Sequence, residues 1–196
     1  MKTNLKTIVK FKPCSKGIVK LMNNLGHKCN RHDWEDVYNS LSKKLQTKGI
    51  DFKFILESNG VNDTFWVLRT QPEKIKMLIS ADIVESVLHI FEKQYPNDMR
   101  VRNCIQGVRD YCNGKITKAK LNVLKFGAYD AADATGVIAA DTYAVYVVAD
   151  AAYDVANAAS AVVYTSVYAA VDANAYTDVA RKKQWKKSEE ILLKYI

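Results

Sequence analysis

The sequence predicts a mainly all-α protein, an antiparallel helical bundle with long Ala/Tyr-rich C-terminal helices and a small mixed N-terminal part. Only 3 prolines and 8 glycines occur in 196 residues, too few for the many turns of an all-β chain. Between Phe126 and Ala180 there are 19 alanines and 7 tyrosines, and alanine has the highest helix propensity. Hydrophobic residues make up 48% of the chain, which is enough to form a core.

The chain length favours one helical domain over residues 1–196. Its composition divides this domain into a mixed basic part (1–70), a helical pair (71–115) and Ala-rich helices (116–196).

Within the basic part, apolar residues recur at helical spacing over Asp33–Lys48, which predicts a helix there. Short apolar runs at Phe52–Leu56 and Phe65–Leu68 are consistent with two strands of a small hairpin.

The middle segment is predicted to be helical because apolar residues recur at i, i+3 and i+4 over Ile75–Phe91. Ser80–Ala81 is a candidate break between two helices. A further helix is expected to begin near Asp98 and to end at Gly114.

The C-terminal segment contains neither glycine nor proline after Gly136. A single helix of about 60 residues would span about 90 Å, far too long for a small protein. We therefore expect breaks at Thr135–Gly136 and at Asn157–Ser160.

Charge is spread unevenly along the chain, whose formal net charge is +8. Residues 1–119 carry 21 basic and 12 acidic side chains, residues 120–180 carry 2 and 7, and residues 181–196 carry 6 and 2. A lysine-rich surface attracts anionic partners. The preferred interpretation is that the charge serves solubility only, and a dedicated anion site is the alternative.

No secretory signal or membrane span is predicted. The N-terminus lacks the apolar stretch of a signal peptide, and the longest uncharged run, Val155–Val171, is too short and too polar to cross a membrane. We expect a cytoplasmic protein with reduced cysteines.

The segment Ser80–Ile116 matches the spacing of a family pattern that reads A-E-x-V-L-x-x-F-E, a short loop, then D-x-R-P-R-x-A-I-x-A-x-R-x-x-x-x-G. The matching residues are Glu85, Val87, Leu88, Phe91, Glu92, Asp98, Arg100, Arg102, Ile105, Arg109 and Gly114. The segment thus resembles the immunity-5-like family, which occurs in polymorphic-toxin loci and in phages. The similarity extends over about residues 12–190, although Val101 stands where the family has proline.

This resemblance implies a helical, non-enzymatic inhibitor that binds and blocks a protein partner such as a toxin, a nuclease or a defence protein. It also implies a bacterial cytoplasm, or that of a phage-infected bacterium, where a phage protein would have an anti-defence role.

Arg100, Arg102 and Arg109 are three of the six arginines and lie within ten residues. Guanidinium groups bind carboxylates and phosphates through paired hydrogen bonds, which suggests an anion or acidic-partner site. Internal pairing with nearby carboxylates, in which Arg100 or Arg102 would contact Glu85, is the preferred interpretation, and an anion or acidic-partner site is the alternative.

Two cysteines and two histidines, Cys14, His27, Cys29 and His32, fall within 19 residues. Zinc binds such nitrogen and sulfur ligands, but the usual pair of closely spaced cysteines is missing. We predict no metal, with a zinc site at these four residues as the alternative.

His89 lies four residues after Glu85, so one helix would place both on the same face. Such a pair can act as an orienting group and a base, but no nucleophile accompanies it. A hydrogen-bonded histidine at the edge of the core is the preferred interpretation.

Asp150 and Asp154 are one helical turn apart in the acidic segment. They are either a solvated face or a surface that docks a basic partner. Tyr143 and Tyr176 lie outside the main tyrosine stripe and are candidates for an exposed contact surface.

Common catalytic and nucleotide-binding motifs do not occur in the sequence. Together with the inhibitor role that the resemblance to the immunity-5-like family implies, this absence predicts a non-enzymatic binding protein without a cofactor that inhibits by occlusion. A binder of a small anionic ligand such as a nucleotide signal is the first alternative, and nucleic-acid binding through the lysine-rich N-terminal part is the second. A homodimer is compatible with the alanine-lined helices.

Overall fold

The structure is a computed structural model. It describes residues 1–135, 146–152, 154, 169–170 and 178–196. These residues form two compact units, Met1–Gln71 with Ile196, and Pro72–Tyr195. That the chain forms a single domain stays a prediction.

Unit 1 (Met1–Gln71 with Ile196) consists of short helices and one two-stranded antiparallel sheet. Its elements are β1 (Lys2–Thr3), α1 (Leu5–Lys10), α2 (Ser15–Asn24), α3 (Trp34–Ser40), α4 (Lys43–Thr47), β2 (Ile50–Asp51), α5 (Phe52–Asn59), α6 (Val61–Val67) and a 3-10 turn (Leu68–Thr70). Lys2 lies opposite Asp51 in the sheet, and Thr3 lies opposite Ile50. The buried core consists of Leu5, Ile8, Ile18, Leu21, Met22, Ile50, Phe52, Ile55, Phe65, Val67 and Leu68.

The predicted hairpin in unit 1 is wrong, because both apolar runs lie in helices. Asp51 caps α5 by accepting a hydrogen bond from the backbone N–H of Lys53. Phe52 and Ile55, three residues apart, then point into the core. Gly60 adopts a φ of 93° between α5 and α6, a conformation that glycine tolerates.

The single helix predicted over Asp33–Lys48 is divided into α3 and α4. Leu41, which ends α3, has an extended backbone conformation, and the Ser42 side chain caps α4.

Unit 2 (Pro72–Tyr195) is a bundle of longer helices. Its elements are α7 (Glu73–Glu85), α8 (Leu88–Gln94), α9 (Arg100–Cys112), α10 (Lys118–Ala134) and α11 (Asp178–Leu193), and residues 146–152 are also helical. The buried core includes Met77, Ile79, Ile83, Val84, Leu88, Phe91, Val101, Ile105, Val108, Leu121, Ala128 and Leu192.

Two pairs of contacts show that neighbouring helices run antiparallel. Along α7, the backbone carbonyl of Lys74 accepts from the Cys112 thiol and Glu85 pairs with Arg109, so α9 runs in the opposite direction. Likewise Ser86, just after α7, contacts Gln184, and Asp82 contacts Tyr195. The predicted mainly helical bundle is confirmed.

The break predicted at Ser80–Ala81 is wrong. Both residues are fully buried inside α7, and the chain bends instead after Glu85, between α7 and α8. The helix predicted from Asp98 to Gly114 corresponds to α9, and Gly114 follows it with a φ of 74°. α10 ends beside the predicted break at Thr135. The break at Asn157–Ser160 lies outside the described residues.

Candidate functional site

Arg109 is the centre of a polar cluster on α7 and α9 in unit 2. Its guanidinium donates to Asp82 at 2.7 Å and to both carboxylate oxygens of Glu85 at 2.6 and 3.1 Å. The Tyr195 hydroxyl donates to the other Asp82 oxygen at 2.6 Å. Burial and this hydrogen bond raise the pKa of Tyr195. The cluster therefore connects three helical segments through charge-assisted hydrogen bonds.

The other two arginines also have carboxylate partners. Arg102 donates to both oxygens of Glu92 at 2.6 and 2.8 Å. Arg100 forms a bidentate pair with Asp98, and its hydrogen bond lowers the pKa of that carboxyl group. All three arginines therefore pair internally, as the preferred interpretation of the sequence expected. The predicted partner of Glu85 is wrong, because Arg109 contacts it and Arg100 and Arg102 do not.

His89 does not share a helix with Glu85. The chain turns between α7 and α8, so the i, i+4 relationship that the sequence suggested does not apply. His89 is exposed rather than at the edge of the core.

Asp150 and Asp154 are half-buried, which is unexpected for a solvated face. Burial raises the pKa of both carboxyl groups, and the charge of Asp150 raises that of Asp154 further. Tyr143 and Tyr176 lie outside the described residues.

The four residues considered for zinc all lie within the described part of unit 1, and no three of them form a group that could hold a metal ion. Cys14 instead caps α2, where its sulfur accepts from the backbone N–H of Gly17 at 3.4 Å. His32 accepts a hydrogen bond from Arg31 at 3.0 Å. His27 lines a surface depression that none of the other three residues lines. The side chain of Asn23 forms hydrogen bonds with the backbone N–H and C=O of Cys29.

The sequence analysis missed an exposed surface on α10, which we call the α10 face. It consists of Ala119, Val123, Phe126, Asp130 and Asp133, which the 3.6-residue period places on one side of the helix. Val123 is 63% exposed and Phe126 is 56% exposed, whereas the opposite side of α10 is buried. A helical projection of 118–134 would have found this face in the sequence.

The α10 face is adjacent to the start of α9. Carbon atoms of the Arg100 stem lie 3.9 Å from where a Cβ on Gly127 would be, which places the two residues at van der Waals distance. The charge of Asp130 acts on Arg100. Met99, next to Arg100, is 47% exposed. Apolar, acidic and arginine side chains thus occur together on this surface of unit 2.

No helix in the described parts of the chain is both long enough and apolar enough to cross a membrane. Comparisons with curated proteins and with solved structures found no match. A family model described as "Imm-5 like putative immunity protein" matches residues 67–192, which include the Arg–carboxylate pairs and the α10 face. This match covers more than half of the chain and confirms the resemblance from residue 67 onwards, whereas the resemblance noted over residues 12–66 stays a prediction. The chain belongs to the Imm-5 like immunity protein family.

Proposed function

We propose that this protein is a non-enzymatic inhibitor that acts in the cytoplasm and blocks a basic protein partner by occlusion. A toxin, a nuclease or a defence protein fits that description. The observation that carries the proposal is the α10 face, where Val123 and Phe126 are more than half exposed beside Asp130 and Asp133.

Apolar and aromatic side chains are the groups whose burial contributes most to protein association. Phe126 and Val123 lie at i and i+3 and would enter a partner's groove together. Met99 and Arg100 extend this surface with two further residue types that are enriched at interfaces.

The two carboxylates of the α10 face, Asp130 and Asp133, favour a basic partner, although the Lys125 ammonium group lies over the Phe126 ring, 4.7 Å from its centroid. No salt bridge joins Asp130 or Asp133 to another residue in the part of the chain that the structure describes. Their negative charge is available to attract a basic protein and to orient it during association. This surface supports docking better than Asp150 and Asp154, whose burial limits their contact with a partner.

The arrangement of the arginines argues against the small-anion alternative. Arg100, Arg102 and Arg109 already bind carboxylates at 2.6 to 3.1 Å. An anionic ligand would have to displace these internal partners before it gained the same hydrogen bonds.

The experiment compares capture of host proteins by the full-length chain and by two surface variants. Phe126→Ser removes the exposed ring, and Asp133→Lys reverses one charge without approaching Arg100. We expect a basic protein to be captured by the unmodified chain and its affinity to fall at least tenfold for each variant. The purified captured protein should lose its activity when one equivalent of the unmodified chain is added.

Val179→Ser is the matched control, because Val179 is 77% exposed on α11 and also belongs to unit 2. This variant should retain the affinity of the unmodified chain. Equal affinities for Phe126→Ser and the unmodified chain would exclude the α10 face. A captured protein that stays active when bound would contradict inhibition by occlusion.

A further inference from the structure

The first 32 residues contain seven lysines and one arginine but no aspartate or glutamate. All eight cationic side chains are exposed, and none of them forms a salt bridge within the described residues. Lys20 donates to the backbone carbonyl of Asn59, and Arg31 donates to His32. Neither contact neutralises positive charge.

Five of the seven lysines lie on α1, on α2 or in the connection between them. Lys6 and Lys10 are one helical turn apart on α1, and Lys16 and Lys20 are one turn apart on α2. Lys12 lies between the two helices with a φ of 53°, the positive-φ conformation that glycine adopts more readily than residues with a side chain. A lysine therefore stands at a position where the backbone would favour glycine.

Aromatic side chains lie beside this positive charge. Lys12, Trp34 and Tyr38 line one surface depression of about 330 Å³. Trp34 and Tyr38 are one turn apart on α3, a helix that buries none of its residues. The remaining residues that line the depression are Val9, Pro13, Glu35 and Asn39.

We propose that α1, α2 and this depression bind single-stranded nucleic acid. The lysines contact backbone phosphates, and the rings of Trp34 and Tyr38 stack on bases. Trp34 and Tyr38 are half-buried, so part of each ring is accessible beside Lys12. Proteins that bind single strands without sequence preference likewise combine a basic surface with accessible aromatic rings. An acidic protein segment would use the lysines but would gain less from the rings, so the rings favour a nucleic acid.

This inference goes beyond the proposed function because it concerns unit 1 alone. The family match begins at residue 67 and leaves nearly all of unit 1 uncovered. A second binding activity in unit 1 and the α10 face of unit 2 can therefore be tested with separate variants.

The test measures fluorescence anisotropy of a labelled oligothymidylate with the full-length chain. Four phosphate contacts predict a loss of affinity of about 50-fold between 50 and 200 mM salt. Trp34→Ala should weaken binding about tenfold, because one stacked base is lost. Trp34→Phe should retain most of the affinity of the unmodified chain, since an aromatic ring remains to stack on a base.

Two further variants separate binding from folding. Lys12→Gly should weaken binding severalfold while the melting temperature stays unchanged or rises, because glycine relieves the unfavourable φ. Glu35→Gln should tighten binding, since it removes the one carboxylate that lines the depression.

The matched control uses a double charge neutralisation elsewhere in unit 1. Lys12→Gln/Lys16→Gln should weaken binding about tenfold more than Lys43→Gln/Lys44→Gln, whose lysines are on α4. Equal losses would mean that charge alone attracts the strand and would overturn the proposed site. Unchanged affinity in Trp34→Ala, or equally tight binding of polyglutamate, would overturn the assignment of a nucleic acid.

Discussion

The two units of the molecule use positive charge in different ways. In unit 2, Arg100, Arg102 and Arg109 each hold a carboxylate, and Arg109 holds two. In unit 1, the lysines of α1 and α2 are exposed and form no salt bridge within the described residues. The difference follows from the side chains, because a planar guanidinium binds carboxylates in a fixed geometry, whereas a lysine ammonium stays well hydrated.

The comparison shows that net charge alone does not identify a binding surface. As the sequence suggested, the three arginines pair internally: Arg102 and Arg109 bind carboxylates on neighbouring helices, and Arg100 binds Asp98 two residues away. Two of the surfaces that remain available are the lysines of unit 1 and the acidic and apolar α10 face of unit 2. The following variants test this division.

The largest effect on stability is expected for Arg109→Ala. The variant removes charge-assisted hydrogen bonds to Asp82 and Glu85 and leaves two carboxylates close together. We expect the free energy of unfolding to fall by about 2 kcal/mol in urea denaturation.

Arg102→Ala is the control for this loss. Its side chain is 45% exposed and pairs with Glu92 alone, so a decrease of about 0.5 kcal/mol is expected. If both variants lose the same stability, Arg109 has no special role in joining α7 and α9.

Tyr195→Phe is expected to have the next largest effect. It removes one hydrogen bond to Asp82 and keeps the ring, so the free energy of unfolding should fall by about 1 kcal/mol. In the Arg109→Ala background the same change should have a different effect, because both residues contact Asp82. Strict additivity in the double-mutant cycle would argue against a connected cluster.

The smallest effect is expected for Asp150→Asn, and its sign depends on pH. Burial raises the pKa of Asp150 in the folded state, so its ionised form is disfavoured there. The loss of folding stability that ionised Asp150 causes is complete above its raised pKa in the folded state. It disappears as the pH falls through that pKa towards the lower pKa of the unfolded chain. Asp150→Asn should therefore raise stability at pH 7 by less than about 0.5 kcal/mol, with no gain at pH 3. A gain that persists at pH 3 would contradict this explanation.

Sequence reasoning succeeded where one helix carries its own signals. α9 has Val101, Ile105 and Val108 on one buried side and Gly114 just beyond its end. The failure at Phe52–Leu56 has a physical reason, since a short apolar run fits a strand and a buried helix equally well. The cap at Asp51 and the packing of α5 decide in favour of the helix.

The site was less predictable because it depends on which helices are neighbours. Internal pairing of the arginines could be anticipated from composition, but the contact of Arg109 with Asp82 and Glu85 requires the antiparallel packing of α7 and α9. The contact of Tyr195 with Asp82 joins residues 113 positions apart, and no local pattern indicates it.

The most direct test of the difference between paired arginines in unit 2 and exposed lysines in unit 1 compares two double charge-neutralising variants in the same urea denaturation experiment. Arg102→Gln/Arg109→Gln removes paired charges from unit 2, and Lys6→Gln/Lys16→Gln removes exposed charges from unit 1. The arginine variant should lose about 2.5 kcal/mol of unfolding free energy, and the lysine variant should change by less than about 0.5 kcal/mol. Equal losses in the two variants would contradict the separation of structural arginines from available lysines.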